Sequence, residues 1–157
     1  MTATSERNPQ AAQMADESMI RTLANQAEAI WPQESRLFSR YALPAGAQIV
    51  DVGCGTGEAT LRLSAIFPGA SRIIGLDLMP ELLSVAQRRL AERAAASGPE
   101  IRFEQGDGFN LPFDEASIDL LVCRHVTQLV PDAEQLLTEF RRVLRPGGWI
   151  HLLSEDY

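Results

Sequence analysis

The chain has 157 residues, enough for a single domain with a substantial core. Apolar residues make up 45% and charged residues 22%, ordinary proportions for a globular protein, and the net charge of −7 argues against a nucleic-acid-binding face, which needs basic residues. Cys54 and Cys123 form no CxxC pair, and with only two histidines at no ligand spacing a structural zinc site is not expected.

Residues 1–15 are polar and aperiodic and read as a disordered lead-in without the apolar stretch of a secretory signal. No apolar run approaches the roughly twenty residues that span a bilayer, so the expected location is the cytoplasm. Residues 16–44 form an N-terminal helical segment. Met19, Ile20, Leu23, Ala27 and Ile30 recur at helical spacing, and Pro32 predicts two helices with a break near Trp31. Leu43-Pro44-Ala45-Gly46 reads as a turn.

From there to Tyr157 the chain alternates. Gln48–Val52 is a short apolar run ended by glycines, the mark of a buried strand. Glu58 to Phe67 is a helix with Leu63, Ile66 and Phe67 inward, stopped by Pro68-Gly69. A second strand runs from Arg72 to Asp77. Pro80 and Glu81 open a helix that continues to about Ala96. Ile101–Glu104 alternates as an edge strand does, whereas Ile118–Cys123 is nearly all apolar, as a central one would be. Asp132 opens a helix carrying Ala133, Leu136, Leu137, Phe140, Val143 and Leu144. Pro146-Gly147-Gly148 ends it, and Trp149–Leu153 forms a fifth strand. Strands alternating with helices imply right-handed crossovers and a parallel sheet.

The strongest local signal is IVDVGCGTGE, a buried strand entering a glycine-rich turn and then a helix. Glycine there allows unusual backbone angles and close approach of a ligand. Many strand-to-helix turns carry glycine for structural reasons alone, so the loop needs a partner. Asp77 ends the second strand about twenty residues downstream, where the acid that holds a ribose diol is expected. Its alternative role is a turn residue or helix cap before Pro80. The loop spacing is GxGxG, and Glu58 stands where a dinucleotide loop carries its third small residue. A glutamate at that helix start opposes a pyrophosphate, so a phosphate-free ligand with an amino-acid end fits better than NAD. No Gly-Lys-Ser/Thr follows, which excludes a P-loop.

VDVGCGTGE, GLDLMPELL, GDGFNLPF, IDLLVCRHV and VLRPGGW, in that order over residues 47–153, resemble the successive motifs of the class I S-adenosylmethionine-dependent methyltransferases, in particular their small-molecule branch. The resemblance implies a Rossmann-like doubly wound α/β fold with a parallel sheet of about five strands ordered 3-2-1-4-5. It also implies a cofactor-binding core over residues 45–157. It places Gly53, Cys54 and Gly55 along the methionine portion of S-adenosylmethionine, with Asp51 near the ammonium group. Asp77 would hold the ribose, Leu78 and Met79 the adenine face, and Asp107 and Gly108 the adenine amino edge. Arg124 would lie beside the methionine portion through its backbone. On its own residues Asp107 also reads as an Asx turn in a polar loop.

Methyl transfer from a sulfonium needs alignment and exclusion of water more than a base. His125, at the mouth of the fourth strand, is a weak candidate for a catalytic base and equally a structural hydrogen-bond donor. His151 reads as packed or partly exposed. Glu155, Asp156 and Tyr157 follow the fifth strand and could face an acceptor. The acidic charge, and Cys123-Arg124-His125-Val126 in place of an Asn/Asp-Pro-Pro-Tyr element, favour a small-molecule acceptor over nucleic acid. Members of the family carry two more strands after the fifth, so the resemblance implies a core lacking its C-terminal strand pair. The apolar edge at Trp149, Ile150, Leu152 and Leu153 would then need cover from a partner or a second copy. A non-catalytic S-adenosylmethionine-binding module and, more remotely, an NAD-dependent oxidoreductase are the alternative readings. No membrane partner and no metal are expected.

Overall fold

The computed structural model describes residues 17–93 and 97–154. Five parallel strands form one sheet: β1 (Gln48–Val52), β2 (Arg72–Asp77), β3 (Glu100–Gln105), β4 (Ile118–Arg124) and β5 (Leu144–Leu153), ordered β3-β2-β1-β4-β5. This is the expected order. Helix α1 (Glu17–Phe38) precedes the sheet, and α2 (Glu58–Ile66), α3 (Pro80–Glu92) and α4 (Ala133–Val143) make the crossovers. The lead-in assigned to residues 1–15 and the chain end from Glu155 lie outside the described residues.

Strand alternation divides the core between two faces. Val50, Val52, Leu121 and Cys123 pack with Leu136, Phe140 and Val143 of α4. Ile49, Leu120 and Val122 point the other way, to Phe38 of α1 and Leu63 of α2. Because β1 and β4 are covered on both faces, their sequences are mostly apolar, with Asp51 and Asp119 the buried polar exceptions, whereas β3 at the edge alternates.

Three boundaries differ from the sequence reading. Helix α1 is continuous through Pro32, not two helices. The proline ring and the amide it removes fall on the solvent side, where Pro32 and Glu28 are exposed, while Glu34 and Phe38 of the same helix are buried and hold it in register. Helix α3 ends at Glu92 rather than near Ala96. Arg93 turns extended (φ −72°, ψ 138°), and its guanidinium donates to Leu61 O and Ser64 Oγ of α2. Strand β5 starts at Leu144, before Pro146-Gly147-Gly148, and meets β4 through a register shift between Ile118 and Leu120. Gly147 takes φ +79°, and a Cβ on Gly148 would stand 2.9 Å from Arg145 O, so glycines permit an irregular strand here instead of ending a helix. Leu137 points outward and is exposed, unlike the other apolar residues of α4.

At the edge, β5 exposes Trp149, Ile150 and Leu152, three of the four residues of the expected apolar edge, while Leu153 is half-buried. Among the described residues no helix is long and apolar enough to cross a membrane.

Candidate ligand site of the glycine loop

After β1 the chain moves to β2 and β3 on one side of the sheet, then returns to β4 on the other. The carboxyl ends of β1 and β4 therefore diverge, and a crevice opens between the loops that follow them. The cavity found there is lined by Asp51, Gly53, Cys54, Gly55, Asp77, Leu78, Met79, Asp107, Gly108, Arg124 and His125. The fold thus gathers the expected cofactor-binding residues and His125, whereas His151 is not in the lining and Glu155, Asp156 and Tyr157 lie outside the described residues.

Gly53, Gly55 and Gly57 all take positive φ. A Cβ on Gly53 would strike the Val126 side chain from the loop after β4, and one on Gly57 would strike Phe103. At Gly55 the space a Cβ would fill is open, so its absence enlarges the cavity and not the packing. The loop is also held from outside. Arg89 Nη1 of α3 donates to Thr56 O (3.0 Å) and Thr56 Oγ1 (2.7 Å) and pairs with Glu58 Oε1 at 2.7 Å. Glu58 is therefore turned toward Arg89, which weakens the charge argument against a phosphate and leaves the spacing argument standing.

Asp77 accepts the Gly55 N–H at Oδ2 (2.8 Å) and the Met79 N–H at Oδ1 (2.9 Å). Burial raises its pKa, opposed by hydrogen bonds from the Met79, Gly55 and Leu78 backbone. Asp77 thus caps the turn, the alternative role read from its sequence position, and also lines the cavity. Asp107 likewise accepts the Phe109 N–H at Oδ1 (3.0 Å) in the Asx turn its own residues suggested, and still lines the cavity. A Cβ on Gly108 would come 2.9 Å from Leu136 Cδ1.

At the closed end, Asp51 is 1% exposed and accepts the Thr60 hydroxyl at 2.6 Å. Burial pushes its carboxyl from the ordinary 3.8 up to about 6, against the pull of Thr60 and Arg124 and with help from the charges of Asp77 and Glu34. Burial also pushes the Cys54 thiol well above its ordinary range and Cys123 up to about 12, which disfavours the thiolate form of each.

The Arg124 guanidinium is clasped by Glu34 of α1, Nε to Oε1 at 2.8 Å and Nη2 to Oε2 at 2.6 Å. His151 Nε2 lies 3.2 Å from the same Oε1, and its Nδ1 is 2.9 Å from the Tyr41 hydroxyl. Burial would raise the Glu34 pKa, but the hydrogen bonds of His151 and Arg124 outweigh it and hold the carboxyl at about 2. His151 is buried and stacks on Phe38 at 4.1 Å between centroids. His125 has φ +57°, a strained conformation for a non-glycine residue, and its N–H donates to Leu153 O at 2.7 Å.

Sequence reasoning missed Glu34, and with it Gln26 and Ala27, which bring α1 to the cavity wall. Nothing local marks a glutamate in an N-terminal helix as the partner of an arginine 90 residues away. The apolar wall of Val126, Leu129 and Val130 did carry a signal, since these residues recur at i, i+3 and i+4 directly after His125. Among the described residues there is no cluster of side chains fit to hold a metal ion.

Residues 50–152 match the family model described as methyltransferase domain, and the chain belongs to that family. It is 33% identical over 119 residues to the demethylmenaquinone methyltransferase of Lactobacillus johnsonii, a match covering 76% of this chain and 48% of that protein. The chain thus spans about half the length of that relative. A structure solved as a complex with the Trm112 methyltransferase activator of Haloferax volcanii superposes with a TM-score of 0.71 at 28% identity, covering 91% of this chain and 59% of that one. Phosphoethanolamine N-methyltransferase 2 of Haemonchus contortus, solved with S-adenosyl-L-methionine, superposes with a TM-score of 0.65 at 26% identity, covering 78% of this chain and 27% of that one.

Proposed function

We propose that this chain binds S-adenosylmethionine in the cavity between the ends of β1 and β4 and supports transfer of its methyl group to a small-molecule acceptor. The observation that carries the reading is the joint between Gly55 and Asp77, where an open, left-handed glycine is bonded to the acid that ends β2. That joint leaves backbone and carboxylate facing one space, which suits a nucleoside with an amino-acid arm. Family membership and the likeness to a methyltransferase solved with S-adenosyl-L-methionine support it.

When bound, the sulfonium supplies an activated methyl group, and the C–S electron pair returns to sulfur as the bond to the acceptor forms. The chain's own residues do the rest. Asp77 accepts hydrogen bonds from the ribose hydroxyls with the lone pairs that Gly55 and Met79 leave. Asp51 stands by the ammonium group, Gly53 and Cys54 by the methionine chain, and Arg124 beside it through its backbone. Leu78 and Met79 flank the adenine, with Asp107 and Gly108 at its amino edge. Val126, Leu129 and Val130 exclude water from the reacting centre. For an acceptor that carries an O–H or N–H, we assign His125 to receive the proton.

The acceptor is proposed as a small molecule because the curated relative acts on one, as its name states. The exposed row of Trp149, Ile150 and Leu152 supports the further proposal that another strand or a partner covers β5.

Calorimetry with S-adenosylmethionine, S-adenosylhomocysteine and NAD tests the reading. The first two are expected to bind and NAD is not; binding of NAD alone overturns it. Binding of the sulfonium without turnover on any acceptor assigns the chain to the non-catalytic class instead. A His125→Ala variant with full turnover removes that residue as a base.

A further inference from the structure

The Glu34–Arg124 pair lies beside the proposed methyl-donor site, and its chemistry points beyond anchoring α1. Arg124 and Asp51 both line the cavity, and Glu34 stands directly behind Arg124. Asp51 and Glu34 are 1% and 2% exposed, so water screens these charges weakly. Two carboxylates and one guanidinium leave one net negative charge at this end of the cavity. Without Glu34, the guanidinium would offset Asp51, and the cavity, whose wall also carries Asp77, would hold one negative charge fewer.

S-adenosylmethionine carries a sulfonium, an ammonium and a carboxylate, one net positive charge. S-adenosylhomocysteine has lost the sulfonium charge and is neutral overall. The two ligands are otherwise nearly identical, so a fixed negative charge nearby separates them where shape cannot. We propose that Glu34, acting through Arg124, is a specificity-determining residue that makes the cavity prefer the cationic methyl donor over its neutral demethylated product. The inference rests on the S-adenosylmethionine reading above. It gives the buried pair a function in turnover, since the product keeps its ammonium group but has lost the sulfonium charge and is held less strongly by this end of the site.

The test is the ratio of the two affinities, measured by calorimetry on the full chain at pH 8, above the ordinary range of carboxylates and imidazoles. Glu34→Gln keeps the size of the side chain and removes its charge. It is expected to shift the ratio about three- to tenfold toward S-adenosylhomocysteine, the effect of one charge across a partly desolvated gap. Equal weakening of both ligands means that Glu34 only anchors the helix, and overturns the proposal. In Glu34→Gln/Arg124→Met the net charge is again that of Asp51 alone, and the ratio is expected to return toward the wild-type value. Failure to return counts against the proposal. Glu34→Asp keeps the charge at shorter reach and is expected to keep the ratio even where total affinity falls. A changed ratio there also overturns the assignment, and this arm stands if Glu34→Gln does not fold. Absence of binding by both ligands to the wild-type chain overturns the methyl-donor reading itself, which is a separate outcome.

Discussion

The Gly55 N–H donates to Asp77 Oδ2 at 2.8 Å, tying the glycine loop after β1 to the last residue of β2. One carboxylate therefore shapes the loop and faces the ligand space. This coupling sets the expected result of changing it. Asp77→Asn keeps an acceptor for one of the two backbone N–H groups and presents an NH2 group to the other. Affinity for S-adenosylmethionine is expected to fall by about tenfold or more, the usual effect of losing hydrogen bonds to a charged group. Titration calorimetry measures it, and unchanged affinity would remove Asp77 from the site.

Glycines 53 and 55 are expected to fail for different reasons. Gly53→Ala places a methyl group against Val126 at φ +73°, so it should lose about 1–2 kcal/mol from the backbone alone and more from the clash. Adding Val126→Ala should recover the clash portion only. Gly55→Ala meets open space at φ +54°, so stability should fall by the backbone amount and ligand affinity should fall further. Urea denaturation with parallel ligand titration separates the two. Equal behaviour of the two alanine variants would contradict this division.

Stability should depend on pH through Asp51. Its carboxyl is raised from 3.8 to about 6 by burial, so the folded protein holds a proton that the unfolded chain has released between those values. The contribution is full below about pH 3.8 and is lost as pH rises through about 6, up to roughly 3 kcal/mol. Glu34 works in the opposite sense. Held at about 2, it contributes above its ordinary 4.5 and is lost as pH falls toward 2. An Asp51→Asn variant removes the first dependence alone, so it should gain on the wild type between pH 4 and pH 7. Denaturation at four pH values in that range gives the difference, and parallel curves would contradict it.

Pro32 interrupts α1 on its exposed side without ending it. Pro32→Ala restores the amide and relieves the ring, and should raise stability by about 1–3 kcal/mol while leaving ligand affinity unchanged. A thermal melt that falls instead would show that the proline carries a packing role.

The sheet was legible because its signals are local. Leu120 to Cys123 form an unbroken apolar run and Ile49, Val50 and Val52 one interrupted only by Asp51, the pattern of strands covered on both faces, and Gly53 to Gly57 mark where the first run turns into a helix. The same holds for the site residues at strand ends, since a parallel sheet collects them on one edge. Where the reading went astray, a tertiary contact had overruled a local preference. Pro32 would break an isolated helix, but Glu34 and Phe38 are bound into the core beyond it. Pro146-Gly147-Gly148 would stop a helix, yet pairing with β4 draws these residues into an irregular strand.

The sequence alone determined a parallel α/β domain with a glycine loop after the first strand and Asp77 at the end of the second, because periodicity, glycines and strand-end acids act over a few residues, while the likeness to methyltransferases lay in five motifs and their order. Only the tertiary structure decided that α1 closes that crevice, that Glu34 neutralises Arg124, and that Asp51 is buried deeply enough to hold its proton to about pH 6. Charge and burial depend on which distant segments are brought together, and that is a property of the folded chain.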